Sequence, residues 1–441
     1  MAVPSPPTVA SGGNGVPRGA LPLTNWRQTF SSLSGNRDFK FLFAGNIGFF
    51  FGMNMMIILS AWLVMKEWDD AAKLGELMAW VALPMLVLAP VAGVVTDRVD
   101  KRKLLLIAQS LLVITSSIVA ALIITDAIEF WHLRVVYMVS SAAFAFNMPA
   151  RQALVALLVP RDKLMNAVAI STAAMNASRI VAPPLAGLLV TPLGIGGAYV
   201  LSTVFYASAV AAALMLPAMP PKRERKFTFF EDFVGGFAYI RRSPVLLGLI
   251  LFATVPMIFA MPYMTLLPVF ADRVWHVGST GFGVLQAASG VGGLAGAFLV
   301  ANLGAYPKKT RLMLGGALGF GGFLILFALT PWFYLALVFI ALLGFGSMVV
   351  TTVNNTAIQL VIPHEVRGRV MSVMMMTFGL MPLGSVPAGI MAERVGAPPV
   401  VAVSAGLFVV AALLVFLLNP AFRSLDREIA AGQERMEALD G

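Results

Sequence analysis

Two arginines stand in otherwise apolar sequence: Arg151 in "SSAAFAFNMPARQALVALLV" and Arg179 in "ISTAAMNASRIVAPPLAGLLV". Tyr137, Ser140, Phe144, Asn147 and Arg151 recur at three- and four-residue steps, as do Thr172, Asn176 and Arg179. On a helix each set forms one polar and aromatic stripe on an apolar rod. A guanidinium offers five N–H donors and a permanent charge, and amides accept or donate. Such stripes suit an anionic or carbonyl-rich ligand. Farther along, Asn354 and Asn355 form a corresponding face with Ser347, Thr351 and Gln359, and carry no charge.

Arg179 falls about 13 residues beyond Asn166, roughly 20 Å along a helix. At that depth in a membrane an arginine costs at least about 2.5 kcal/mol and needs water, a partner or a ligand. Arg179 is therefore the leading candidate for a functional charge. A structural arginine held by carbonyls and asparagines of its own half is the alternative. Arg151 lies nearer a helix end, where it can snorkel out to the interface. Met257, Met261, Met264, Met374, Met375 and Met376 offer an adaptable apolar surface, or plain packing.

Acids are scarce in these stretches. Glu76, near the start of the second apolar run, is the candidate for proton exchange, with Asp38, Asp126, Glu129 and Glu393 more peripheral. There is no cysteine, which excludes disulfides and thiolate chemistry. His132, His276 and His364 stand apart without ligand spacing, so no metal is expected. No paired nucleophile and base and no phosphate loop occurs, so the chain is expected to be neither an enzyme nor a cofactor protein.

The elements that must position these residues are membrane helices. Of the 441 residues 59% are hydrophobic and 12% charged, with a mean hydropathy of +0.86. A bilayer core of roughly 30 Å takes about 20 apolar residues per helix. Twelve such runs are expected between Phe39 and Leu418, among them Leu164 to Leu189, Gly196 to Ala218, Val245 to Phe270 and Val370 to Glu393. Lys and Arg crowd alternate connections, including 98–103, 161–163, 222–242 and 308–311, while the intervening ones hold few. That asymmetry predicts cytoplasmic N- and C-termini. The net charge of +10 is thus a topology signal, and no nucleic acid is expected as a partner.

The chain also repeats. "NMPARQALVALLVPRDKLMNAVAI" from Asn147 aligns with "NNTAIQLVIPHEVRGRVMSV" from Asn354, bringing Pro160 onto Pro363, Asp162 onto Glu365 and, farther on, Pro184 onto Pro387. The reading is an all-α membrane protein of two pseudo-symmetric six-helix bundles, with a binding site at the interface between halves. The expected parts are a disordered tail 1–36, a bundle 37–219, a basic amphipathic linker 220–243, a bundle 244–419 and a tail 420–441. Pro256, Pro262, Gly379, Pro382, Gly384 and Pro387 mark hinges.

Between the second and third runs lies "GVVTDRVDKRKLL". Gly93, Asp97, Arg98, Lys101, Arg102 and Leu105 match the loop G-x-L-A-D-R-x-G-R-K-x-x-L of the major facilitator superfamily, with Asp100 in place of the second glycine. The later stretch "NMPARQALVALLVPRDKLMNAVAISTAAMNASRIVAPPLAG" resembles the branch containing bacterial macrolide-efflux and enterobactin-export proteins, with Ala182 where that pattern has glycine. The resemblance implies the major facilitator fold and alternating access. Gly93 would let a neighbouring helix approach, and Asp97 and Arg98, with Lys101 and Arg102, would latch one face against a helix beginning near Arg367. It also implies export of an amphipathic drug, siderophore or metabolite by proton antiport, across the bacterial inner membrane, by a monomer among membrane lipids. A proton-independent flippase or carrier of a lysolipid or other anionic amphiphile is the rival reading, and a non-transporting sensor or scaffold the third.

Overall fold

The computed structural model describes residues 32–33, 36–220, 237–303, 308–362, 366–419 and 425–426. The expectation for the tail 1–36 falls almost wholly outside the described residues, as do 221–236 of the linker and most of the tail 420–441; the end of the linker, 237–242, is helical.

Within each half most helices follow one another with short turns. The helices are α1 (Arg37–Trp68), α2 (Ala71–Arg98), α3 (Lys101–Ile124), α4 (Phe130–Leu158) and α5 (Arg161–Leu214) in the first half. The second half holds α6 (Pro244–Phe259), α7 (Pro262–Val269), α8 (Gly278–Asn302), α9 (Lys309–Leu329), α10 (Phe333–Val361), α11 (Arg367–Met376), α12 (Pro382–Val395) and α13 (Ala397–Leu418). Among the described residues, nine helical stretches are long and apolar enough to cross a membrane.

Local chemistry places the starts. Asn36 accepts from the Phe39 N–H at 2.9 Å, and Asp70 from Ala72 and Lys73 at 2.8 and 3.3 Å. Asp100 does the same for Arg102 and Lys103 at 2.9 and 3.1 Å. Each cap satisfies backbone donors that the first turn leaves unpaired. At Asp70, burial raises the pKa, but the Lys73 side chain and the two backbone N–H groups outweigh it and hold the carboxyl below its ordinary 3.8.

Two of the expected runs are built differently from the sequence reading, and two others meet end to end at a kink. The expected runs Leu164 to Leu189 and Gly196 to Ala218 are two helices, as read, that meet within α5 at a kink at Gly194, whose φ of 69° only glycine adopts without strain. The run Val245 to Phe270 breaks at Ala260 and Met261, whose N–H groups both turn back to the Pro256 carbonyl, and Pro262 opens α7. The run Val370 to Glu393 breaks at a tighter turn, Thr377–Leu380, before Pro382. Proline lacks a donor and prefers a first turn, so a helix restarts where it falls.

In the first half α1 packs on α5, α2 on α4, and α3 on α4 and α5; in the second α8 packs on α10, and α9 on α10 and α13. The halves meet where α2 packs on α12 and α5 on α8. One end of the bundle holds the α1–α2 turn at Asp69 and the α7–α8 connection at Arg273. The opposite end holds the α2–α3 turn at Asp100.

Candidate functional site

Arg151 does not snorkel. It is 4% exposed, and it donates to Asn147 Oδ1 from Nε at 3.2 Å and from Nη2 at 3.1 Å, and to Asn46 Oδ1 from Nη1. Its guanidinium carbon lies 4.2 Å from the Phe49 ring centroid and 5.4 Å from that of Phe50. With the Gln109 amide turned so that oxygen faces the guanidinium, that oxygen accepts from Nη2 at 3.0 Å and the nitrogen donates to the Ala209 carbonyl at 3.0 Å. Of the two readings of Arg151, the snorkelling one fails because neutral amide acceptors and two ring faces surround its guanidinium inside the bundle. These are the partners a buried cation needs. All belong to the first half, so Arg151 and Asn147 are brought together as part of its internal structure.

Arg179 has the opposite surroundings. It is exposed, on the part of α5 that faces α8: a Cβ at Gly290 would lie 3.8 Å from the Arg179 carbonyl and 2.9 Å from the Ile180 side chain. Tyr263 of α7 and Ser289 of α8, both buried, lie on the side of the second half that faces this seam. No acid forms an ion pair with Arg179 among the described residues. Asn176, one turn earlier, is half-buried. The structure thus sets Arg179 at the seam between halves and Arg151 inside one half.

The remaining expected residues are scattered between these two settings. Tyr137 reaches Ser60 within the first half, where Ser60 Oγ and Tyr199 Oη lie 2.6 Å apart. Asn354 is buried and Asn355 half-buried on α10, and neither side-chain oxygen has a hydrogen-bond partner. In the repeat register Asn354 falls on Arg151, so the second half has a polar amide where the first has a caged cation. Of the methionines, Met374 is buried and Met261 and Met264 pack on the core. Glu76 is already engaged, with Arg134 Nε at 2.7 Å and Trp80 Nε1 at 3.1 Å.

The signature loop also departs from expectation. Gly93 is exposed, and a Cβ there would meet nothing within 4 Å, so no close neighbour requires it in this arrangement. Arg98 is exposed. The side chains of Asp97 and Arg367 lie outside the described residues. Arg102 donates to the Leu214 carbonyl at 2.6 Å and the Ala213 carbonyl at 3.3 Å. Lys101 is buried, and its N–H donates to the Met219 carbonyl at 3.3 Å, while Asp100 accepts from the Met219 N–H at 3.1 Å. These contacts clamp the loop to the end of α5 in its own half, because the helix end offers unpaired carbonyls beside it.

Spacing within one helix does not single out Asn46, Gln109 and Phe49, although a lone amide in "FLFAGNIGFFF" or "LLLIAQSLLV" is a signal of its own. Asp100 is legible as a helix cap, an acid directly before an apolar run.

Among known proteins, a family model described as transmembrane secretion effector matches residues 28–438. Macrolide efflux protein A of Streptococcus pyogenes is 25% identical over 350 residues, covering 78% of this chain and 86% of that one. The multidrug efflux pump Tap of Mycolicibacterium fortuitum is 26% identical over 388 residues, covering 85% and 94%. An enterobactin exporter of Escherichia coli is 28% identical over 290 residues, covering 65% and 68%. In fold, the crystal structure of the nucleoside transporter NupG matches with a TM-score of 0.69 at 15% identity, covering 86% of this chain and 98% of that one.

Proposed function

Because the chain belongs to the transmembrane secretion effector family of major facilitator transporters, we propose that it exports an amphipathic small molecule bearing an anionic or carbonyl-rich group. The observation that carries this reading is Arg179: an exposed cation at the seam of two membrane bundles, with no acid partner among the described residues. A ligand is the neutralising group such a charge lacks. Asn176, one turn earlier on α5, would line the same path. The relatives' cargoes, macrolides and enterobactin, are large amphiphiles, and a substrate of that kind fits the reading.

In this proposal the helices make twelve crossings, with α5 bending at Gly194 to supply two, and with α6–α7 and α11–α12 each forming one interrupted crossing. The termini are cytoplasmic by the distribution of Lys and Arg, in a bacterial inner membrane, and the monomer is the working unit. The Arg273 end then faces outward. Arg151 and Asn147 hold the first bundle together from within.

Coupling to protons is the family-implied mechanism, with Glu76 as its candidate carboxylate. Its pairing with Arg134 favours the second reading, a proton-independent carrier of a lysolipid or another anionic amphiphile. The test is efflux from proteoliposomes loaded with a macrolide, a catecholate siderophore, a cationic dye or a lysophospholipid, each with and without a pH gradient. Gradient-dependent flux of the macrolide or siderophore is the expected result. Flux of the lysolipid alone, without a gradient, replaces it with the second reading. Saturable binding of any of them with no flux leaves a sensor or scaffold.

A further inference from the structure

The two places where the halves meet near the Arg273 end are built alike. At the first, α2 lies against α12 so closely that a Cβ on Gly75 would fall 2.5 Å from the Ser385 carbonyl oxygen, and one on Gly389 2.6 Å from that of Ala71. At the second, α5 lies against α8: a Cβ on Gly283 would fall 2.5 Å from the Pro183 carbonyl oxygen, and Gly187 is equally closed off by Ser279. Each crossing thus has one glycine from each half. Glycine is required here by approach rather than by backbone angle, since backbone meets backbone.

The two crossings are fastened differently. At α5–α8 the fastening is neutral, with the Ser279 and Thr280 hydroxyls donating to the Gly187 carbonyl at 2.9 and 3.4 Å. At α2–α12 it is ionic and runs through Arg273. That side chain meets the Asp69 carboxylate, with Nη2 at 2.8 Å and Nε at 2.9 Å, and also donates to the Asp69 carbonyl. It reaches Glu393 with Nη1 at 3.2 Å and Nη2 at 3.3 Å. Asp69 has a left-handed backbone, φ 43°, at the end of α1. Glu393 in turn accepts from the Ala71 N–H at 2.8 Å, across the seam. One guanidinium therefore ties α1, α12 and the α7–α8 connection, and both carboxylates it holds border the same crossing.

We propose that Arg273 is the latch of this end: its ion pair with Asp69 across the seam, braced by Glu393 of its own half, which also accepts from the Ala71 N–H of the other, holds the α2–α12 crossing shut, and release of these contacts is the step that lets the crossing part. Among the described residues no ion pair spans the α5–α8 crossing, where Arg179 stands without an acid partner. An alternating-access cycle needs such a fastening to be breakable, and partly exposed ion pairs screened by salt meet that need better than buried packing does.

The sequence contains no cysteine, so a single reporter thiol can be read without background. Ser385→Cys places it in the crossing, at a fully buried position two turns deeper than Glu393. In lipid nanodiscs, where both ends are reachable, its rate of labelling by a membrane-impermeant maleimide reports opening. Arg273→Gln in that background is expected to label about fivefold faster, the scale of a small exposed ion-pair network, and Glu393→Gln to fall between. Raising the salt concentration should speed labelling of the parent but not of Arg273→Gln. Lys73→Gln breaks an ion pair at the same end that stays within one helix turn, and it should label like the parent. Parental rates in both Arg273→Gln and Glu393→Gln overturn the proposal, as does equal acceleration by Lys73→Gln. The outcome is independent of which substrate is moved.

Discussion

Arg151 and Arg179 sit on successive helices and carry the same charge, yet one is sealed in a cage and the other stands open at a seam. Arg151 has the amide oxygens of Asn46, Asn147 and Gln109 and the face of Phe49; Arg179 has an exposed position at the seam. The contrast teaches that a membrane arginine is assigned by its acceptors and not by its depth. Neutral acceptors within the same bundle satisfy a buried cation, and a cation that lacks them is the one the proposal gives to a ligand.

Breaking the cage should show the largest effect. Arg151→Leu strands three buried amides at about 1–3 kcal/mol each, so a loss of about 3 kcal/mol or more is expected, read as a fall in unfolding temperature in detergent. A variant as stable as the parent would mean that the cage is dispensable. Asn46→Leu attacks the same cage from the other side. It leaves one guanidinium nitrogen short of an acceptor, for an expected loss of about 2 kcal/mol in the same assay.

The opposite pattern is expected at the seam. Arg179→Gln should leave the unfolding temperature nearly unchanged, within about 0.5 kcal/mol, and weaken binding of an anionic substrate at least tenfold, about 1.4 kcal/mol. Lost stability with unchanged affinity would reverse the roles of the two arginines. The smallest effect belongs to the Asp70 cap, which has a lowered pKa. Its contribution is present above the unfolded carboxylate pKa and disappears as the pH falls through the lower folded value, so Asp70→Asn should flatten acid unfolding below about pH 4 by a few tenths of a kcal/mol, discounted for exposure.

The legible parts of the fold are those whose causes are local. Asn36, Asp70 and Asp100 cap helices because their side chains reach an N–H two or three residues on. Pro256, Pro262 and Pro382 break runs because each lacks a donor, and Gly194 bends α5 because its φ is positive. The break between the two helices of α5 is legible in the sequence, at the Pro and Gly positions around Gly194. The candidate site is legible only as stripes. Tyr137, Asn147 and Arg151 do share a face of α4, but what faces that stripe comes from α1 and α3, which no spacing within α4 encodes. The loop pattern points to Gly93 as a place of close approach, whereas the close approaches are at Gly75, Gly187, Gly283 and Gly389.

Sequence alone determined that this chain is an all-helical membrane protein, and its signature loop carried the resemblance to major facilitator transporters, because hydrophobic length, helix caps and a loop motif act over a few residues and survive without knowledge of neighbours. Only the tertiary structure decided which arginine is caged and which is free, and which end of the bundle is fastened. Those outcomes depend on groups far apart in the chain, Asn46 against Arg151 and Asp69 against Arg273, whose short-range hydrogen bonds exist only once the helices have packed.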